Sequence, residues 1–452
     1  MRALAGWGRT APSHAEVLTV ATEEQVLAAF ATGRSVIARG LGRSYGDAAQ
    51  SGGGLVLDNR GLDQVGDIGP DGVVRLGAGV SIDDLLARSI PEGWFVPVTP
   101  GTRQVTIGGA LAADVHGKNH HVEGSFASHV RSVRLVTPTG VCTVGPDRDP
   151  SLFWATAGAM GLTGVATEVE LTLTSIETDQ VLVDTDRFGG LDAVMAAMAS
   201  GDEGYRYSVA WVDCMTRGAH MGRAILTRGE HAAASEVENA HLRAPRAAHL
   251  RAPRAARLRV PFNAPSGLLN PLSIRAFNEL WFRSAPRHER GEAQSLSTFF
   301  HPLDGVGDWN RLYGKRGFVQ YQFCVPDAAG ETVVEAISRL SSSRVPSFLA
   351  VLKRFGAANP APLSFPQPGW TLALDLPVGP EKLPGILDDL DDVVLEAGGR
   401  VYLAKDARLA PATFAAMYPR LEEFLAVKSR VDPEGHLTSD LARRLHVGSP
   451  HG

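Results

Sequence analysis

The 452-residue chain predicts an α+β fold organised in more than one domain, on three observations. Short capped helices alternate with short apolar runs up to about residue 175, which reads as mixed structure with brief connections. Beyond about residue 178 the strands lengthen and show period-two alternation, and a helical tail closes the chain. A change of pattern of this kind separates domains.

The elements follow in order. Thr22-Glu-Glu-Gln25 is a capping box that opens a helix ending at Gly33, and Ser81-Ile-Asp-Asp84 opens another ahead of Leu85-Leu86. Gly54-Leu-Val-Leu-Asp58 and Val73-Val-Arg-Leu-Gly77 read as strands. Pro138-Thr-Gly140 joins Arg131–Val136 to Val141–Val144 as a hairpin, and Gly164 to Thr174 alternates as a long half-buried strand. Tyr207–Val212 and Phe318–Phe323 are strands of the second region. In the latter, Gln320 and Gln322 share one face and Val319, Tyr321 and Phe323 the other. The pattern alone favours a solvated face for the two amides, with a sugar-binding cavity as the alternative. The tail reads as one helix from Thr413 to Val431, stopped by Asp432-Pro433.

Two glycine-rich segments carry most of the functional signal. Ala38-Arg-Gly-Leu-Gly-Arg-Ser-Tyr-Gly-Asp47 follows the apolar run Ser35–Ala38, so Gly40 and Gly42 fall where a strand turns and exposes several backbone N–H groups. Such a turn cradles phosphate. In Pro100-Gly-Thr-Arg-Gln-Val-Thr-Ile-Gly-Gly109, Thr106 is placed to cap a helix through Gly108, Gly109 and Ala110–Ala113. Glycines in its first turn admit a ligand close to the backbone. Neither segment is a dinucleotide fingerprint or a Walker loop, because Arg43-Ser44-Tyr45 replaces the third glycine and no Walker lysine is present. The pair points to a pyrophosphate held between two chain segments.

Hydrophobic content of 44%, charged content of 21% and a formal charge of -5 are those of a globular protein with no reason to bind nucleic acid. Three cysteines, Cys142, Cys214 and Cys324, form no metal spacing and no disulfide framework, and are expected in the core. No apolar run reaches the ~18 residues that cross a bilayer, and the N-terminus lacks a signal-peptide core. Cytoplasmic synthesis with peripheral membrane contact is expected, the periplasmic face included. Residues 240–259 repeat Ala-His-Leu-Arg-Ala-Pro-Arg-Ala in tandem and hold six arginines. This reads as a mobile basic loop, each arginine adding about 1 kcal/mol near an anionic lipid surface.

Longer strings resemble a family. Gly6-Trp-Gly-Arg-Thr-Ala-Pro12, His116-Gly-Lys-Asn-His-His121, Leu152-Phe-Trp-Ala-Thr156, Gln320-Tyr-Gln-Phe323, Pro362-Leu-Ser-Phe-Pro366, Ala404-Lys-Asp406 and Ser439-Asp-Leu-Ala-Arg-Arg444 are similar to flavoproteins of the vanillyl-alcohol oxidase type. Within that type they resemble the oxidising subunits of decaprenylphosphoryl-β-D-ribose 2'-epimerases. The resemblance implies a two-part FAD-binding domain of residues 1–178 and 400–452. Between the parts it implies a substrate domain, 179–399, built on an antiparallel sheet, with the basic loop at about 235–262. It implies oxidation of the 2'-hydroxyl of decaprenylphosphoryl-β-D-ribofuranose to a ketone, the first half of epimerisation to the arabinose lipid for cell-wall arabinan. An NADH-dependent keto-sugar reductase would complete the reaction, and a quinone or other acceptor would reoxidise the flavin. Oxidation of a soluble polyol or aldonolactone, and a catalytically idle flavin scaffold, are the competing readings.

The same resemblance implies FAD contacts at Ala38, Arg39, Gly40, Leu41, Gly42, Arg43, Ser44, Tyr45, Gly46, Asp47 and Ala48. Further contacts are implied at Gly101, Thr106, Ile107, Gly108, Gly109, Ala113, Asp114, Val115, His116, Ala166 and Tyr402. Lys405, His116 and Tyr45 are the catalytic candidates, since alcohol oxidation needs a group to take the hydroxyl proton. Gln320, Gln322, Lys353, Phe355, Trp211, Lys118, Thr371 and Ala373 are the candidate substrate contacts. Arg43 stands where relatives that bind FAD covalently have a histidine, which implies non-covalent FAD. Thr371 and Ala373 stand where mycobacterial relatives have Asn and Cys, so the thiol that covalent inhibitors would need is missing.

Overall fold

In the computed structural model, residues 1–239, 250–253, 258–265 and 267–448 are described. The chain begins with a four-stranded sheet in which Leu55–Asp58 lies between Ser13–Thr19 and Val36–Arg39, parallel to both. The helix Glu23–Phe30 makes the crossover, and its capping box at Thr22 and Gln25 forms as the sequence predicts. A second sheet is antiparallel, with Val165–Thr172 between Val73–Gly77 and Val130–Thr137, and the hairpin partner Gly140–Val144 at its edge. Along Val165–Thr172 buried and partly exposed residues alternate, as expected of a strand with one face on the core.

The remainder is dominated by an eight-stranded antiparallel sheet. Its order is His288–Ser295, Gln180–Phe188, Ala224–His231, Tyr207–Val212, Ala350–Phe355, Gly369–Pro377, Phe318–Val325 and Arg400–Val401. Helices Leu191–Gly201, Glu331–Ser343 and Leu383–Glu396 pack on this sheet. Val333, Ile337 and Leu340 of one helix and Leu387, Leu390 and Val394 of another are fully buried, each side chain contributing roughly 1.5–3 kcal/mol. The apolar backing fixes which side of Phe318–Val325 is left for chemistry.

The end of the chain returns to its beginning. The Val36 N–H donates to the His436 carbonyl at 2.7 Å, and the Tyr45 N–H donates to the Ala404 carbonyl at 2.9 Å. Arg444 bridges Asp47, at 2.8 Å, and Asp406, at 2.9 Å. Residues from opposite ends of the sequence are thereby placed side by side.

Two expectations are corrected. The tail is two helices, Pro411–Met417 and Leu421–Val431, not one from Thr413 to Val431. Pro419 has no N–H to give and drives Tyr418 before it out of the helical region, to ψ 75°. Gln320 and Gln322 are not on a solvated face but buried, at 8% and 2% exposure, because the other parts of the chain close over that side of the sheet. Of the basic segment, residues 240–249 and 254–257 lie outside the described residues. Ala234–Asn239 before it is helical, and Leu258–Arg259 pairs in parallel with Val306–Gly307. Among the described residues no helix is long and apolar enough to cross a membrane. Cys214 and Cys324 are buried as expected, whereas Cys142 is only partly so.

Candidate active site

A cavity of about 710 Å³ runs between the two small sheets and the open face of the large one. This is the size range of cofactor sites, ~300–1,000 Å³. Gly40, Leu41, Gly42, Arg43 and Ser44 line it, and none of the N–H groups of Leu41 through Ser44 donates to an acceptor within the described residues. Gly42 is required by its backbone, at φ +64°, and a Cβ there would lie 2.3 Å from the Arg39 guanidinium. Unused N–H groups around a cavity form an anion cradle, which suits the pyrophosphate of FAD.

The second glycine segment meets the first at Thr106. Its hydroxyl accepts from the Gly109 N–H at 3.2 Å and caps the helix Ile107–Ala112. A Cβ on Gly40 would fall 2.2 Å from that same hydroxyl, so only glycine lets the segments touch. Gly101, Gly108, Gly109, Ala113, Val115 and Ala166 line the cavity, as do Tyr45 and Ala48. Arg43 turns away from the cradle's centre: its guanidinium lies 3.9 Å from the Trp7 ring and donates to the Gln104 carbonyl. No cysteine lines the cavity, and His116 is the one histidine among its described lining residues.

On the opposite wall, sheet register sets Val351, Ala373 and Gln322 in one row and Lys353, Thr371 and Cys324 in the next. Gln320, Gln322, Lys353 and Ala373 face the cavity. A directed chain of hydrogen bonds runs through them. The Thr371 hydroxyl donates to the Phe323 carbonyl at 2.8 Å and accepts from the Gln322 amide at 3.1 Å. The same amide nitrogen lies 3.0 Å from His116 Nε2, so it donates there and leaves the ring proton on Nδ1. Lys353 Nζ lies 3.0 Å from Nδ1 and accepts that proton only as a neutral amine. Burial, with the charges of Lys118 and Lys405, pushes Lys353 down to about 7, which makes the neutral form accessible. His116 is itself held well below the usual histidine range, by burial first and then by the Lys353 charge.

Lys405 enters from the C-terminal return, with Nζ 3.9 Å from the centroid of the Tyr45 ring. The Tyr45 hydroxyl accepts from Gln320 at 3.2 Å, and Gln320 also donates to the Asp375 carboxylate. Asp375 has no solvent exposure and receives Tyr313 as well, at 3.5 Å. Burial lowers the Lys405 pKa, an effect the Asp375 charge opposes, and burial raises that of Asp375. Burial also holds Tyr45 well above the ordinary phenol value, so it stays protonated. Tyr402 lines the cavity and is anchored by its hydroxyl donating to the Ala113 carbonyl at 2.8 Å.

Other candidates stand behind this lining. Arg39 donates to the Ala5 and Ala49 carbonyls beneath Gly42. Gly46 packs on the Asp406 carbonyl, and Asp47 is spent on Arg444. Ile107 is core, and Asp114 collects Ser125, Ala127, Asn359 and Ser364 as donors. Phe355 supports the His116 ring at 4.7 Å. Lys118 donates to the Phe299 carbonyl and lies over that ring at 4.0 Å, while Trp211 is one strand beyond Val351. Thr371 acts on the cavity only through Gln322.

Sequence reasoning missed Asp375, although period-two spacing places it on the face of Thr371 and Ala373. It also missed a third glycine-rich stretch, Gly158-Ala-Met-Gly-Leu-Thr-Gly164, whose Met160, Gly161 and Gly164 line the cavity. Leu258 and Arg259, read from the sequence only as the end of the basic loop, also line the cavity.

A glycine cradle joined to a sheet face of amides and depressed lysines defines an FAD-dependent oxidoreductase. Residues 15–145 match the FAD binding domain, and residues 385–445 match the D-arabinono-1,4-lactone oxidase family. The fold is that of 6-hydroxy-D-nicotine oxidase from Arthrobacter nicotinovorans, with a TM-score of 0.63 and 17% identity over 95% of this chain and 91% of that one. An uncharacterized Streptomyces coelicolor protein is 38% identical over 81% of the chain and 100% of its own length. Decaprenylphosphoryl-β-D-ribose oxidase of Mycolicibacterium smegmatis is 44% identical over 98% of this chain and 97% of its own. The chain belongs to the decaprenylphosphoryl-β-D-ribose oxidase family, and its cofactor is FAD.

Proposed function

We propose that this protein oxidises the 2'-hydroxyl of decaprenylphosphoryl-β-D-ribofuranose to the 2'-ketone, the first half of epimerisation to the arabinose lipid. The observation that carries the reading is one continuous cavity, with the Leu41–Ser44 cradle at one end and Gln320, Gln322, Lys353 and Lys405 at the other. FAD, when bound, supplies the hydride acceptor. The pyrophosphate belongs on the cradle and the capped helix at Thr106, and FAD is held without a covalent bond because Arg43 stands in place of a linking histidine.

Lys405 is the group that takes the hydroxyl proton, since burial favours its neutral form. Tyr45, kept protonated, and Gln320 hold the sugar hydroxyl in place. Gln322 and His116 orient the ring from the other side, and Lys353, as a neutral amine accepting from His116 Nδ1, holds that imidazole in place. Residues 1–178 with 400–452 form the flavin unit, and 179–399 the substrate unit. A separate NADH-dependent reductase consumes the ketone, and a quinone or similar acceptor reoxidises the flavin. The protein works as a peripheral membrane enzyme.

The test is anaerobic mixing of the purified yellow protein with the prenylphosphoryl ribose, following flavin absorbance and the ketone by mass spectrometry. Bleaching with the lipid and none with free ribose or aldonolactones is the expected outcome. Bleaching by the soluble sugars alone would replace this substrate with a polyol or lactone.

A further inference from the structure

The helix Pro271–Ser284 presents its apolar side to solvent, the reverse of a surface helix in a globular protein. Its inward side consists of Ile274 and Asn278, and Asn278 donates to Asp213 at 2.7 Å, so the helix is firmly docked. Outward, Leu272 is 79% exposed, Leu280 72% and Trp281 50%. Just before the helix, Leu258, Phe262 and Leu268 are exposed as well. An apolar cluster of this extent marks an interaction surface.

We infer that this surface docks on an anionic lipid bilayer, with the cavity mouth held at the membrane. Charge selects that occupant. Although the whole chain carries -5, the described residues between 250 and 277 include Arg251, Arg259 and Arg275 and no acid. Arg259 and Arg275 are exposed beside the apolar residues. On the helix, Glu279 is answered by Arg223 and Arg283, and ahead of the helix Arg259 pairs with Asp308. An apolar face edged by arginine is how a helix lies in a membrane interface. Leu258 and Arg259, in the segment that leads into the helix, also line the cavity. A lipid-linked sugar could then enter while its prenyl chain remains in the bilayer, a point that rests on the substrate proposed above.

The test is co-sedimentation of the FAD-loaded full chain with phosphatidylcholine vesicles, with and without phosphatidylglycerol. Wild-type protein is expected to bind the anionic vesicles at least tenfold better than the neutral ones. The triple variant Leu272→Glu, Leu280→Glu, Trp281→Glu is expected to lose at least tenfold of that binding while keeping its flavin. The single variant Leu280→Gln, the milder change, is expected to lose part of it. Equal binding of wild type and flavin-loaded variants overturns the proposal, as does equal binding to both vesicle types. A wild-type dimer that the triple variant splits, with vesicle binding unchanged, overturns it in favour of a second copy of the chain. Vesicle binding that depends on these residues without flavin reduction by any phosphoryl ribose upholds the surface and sinks the substrate.

Discussion

The ammonium nitrogen of Lys405 lies 3.9 Å from the ring centroid of Tyr45, although the two come from opposite ends of the chain. The Tyr45 N–H bonded to the Ala404 carbonyl makes the meeting obligatory. Lys405→Ala is expected to slow anaerobic flavin reduction by roughly 10²–10⁴-fold, the usual contribution of a positioned acid–base group. Lys405→Arg will not restore it, because a guanidinium keeps its proton. Stopped-flow reduction rates equal to wild type would remove Lys405 from the chemistry.

Asp375 tunes that lysine. The proton acceptor works when neutral, so kcat/KM rises with pH through the Lys405 pKa, and the Asp375 charge holds that pKa up. Asp375→Asn is therefore expected to move the acidic limb of the profile to lower pH. A shift to higher pH would contradict this assignment.

Lys353 makes stability depend on pH. Unfolded, it keeps its proton to about 10.5; folded, it releases it near 7. Between those values unfolding takes up a proton, so stability rises with pH. Below about 7 that gain is absent, and the lysine is a charged group in a poor place. In urea titrations of flavin-free protein from pH 7 to 10, Lys353→Met is expected to show a flatter rise than wild type. Parallel curves would show that Lys353 titrates normally.

Ala373 lines the cavity beside Val351 and Gln322, while Cys214 and Cys324 are buried. Burial pushes the Cys324 thiol up to about 12, further reducing its reactivity. Cavity-directed thiol reagents should leave wild-type activity intact and modify Ala373→Cys at that position. Intact-protein mass spectra and turnover read the outcome, and modification of wild type with loss of activity would refute it.

Arg444 clamps the return to the cradle. Arg444→Met leaves Asp47 and Asp406, 7% and 4% exposed, without their cation, and is expected to cost about 3 kcal/mol in denaturant titrations. Flavin should dissociate more readily, since the Gly40–Asp47 turn loses its backing. A midpoint unchanged from wild type would mean that the pair contributes nothing.

Local chemistry was legible wherever a few consecutive residues decide the outcome. The Thr22 and Ser81 caps, the Pro138–Gly140 hairpin and Thr106 over its glycines formed as read, because capping and turn formation are satisfied within one turn of chain. The helix break at Pro419 was equally local and was overlooked. Asp375 escaped because one acid on a strand says nothing until its face is known to be buried.

Its amino acids alone specified the cradle, the alternating amide strand and the family, since glycine placement and side-chain period act at short range. Tertiary structure decided the electrostatics: that Gln320 and Gln322 are enclosed, that Lys353 faces His116, and that Lys405 lies over Tyr45. Desolvation and proton direction depend on what three distant segments bring to one point, and no spacing along the chain encodes that distance.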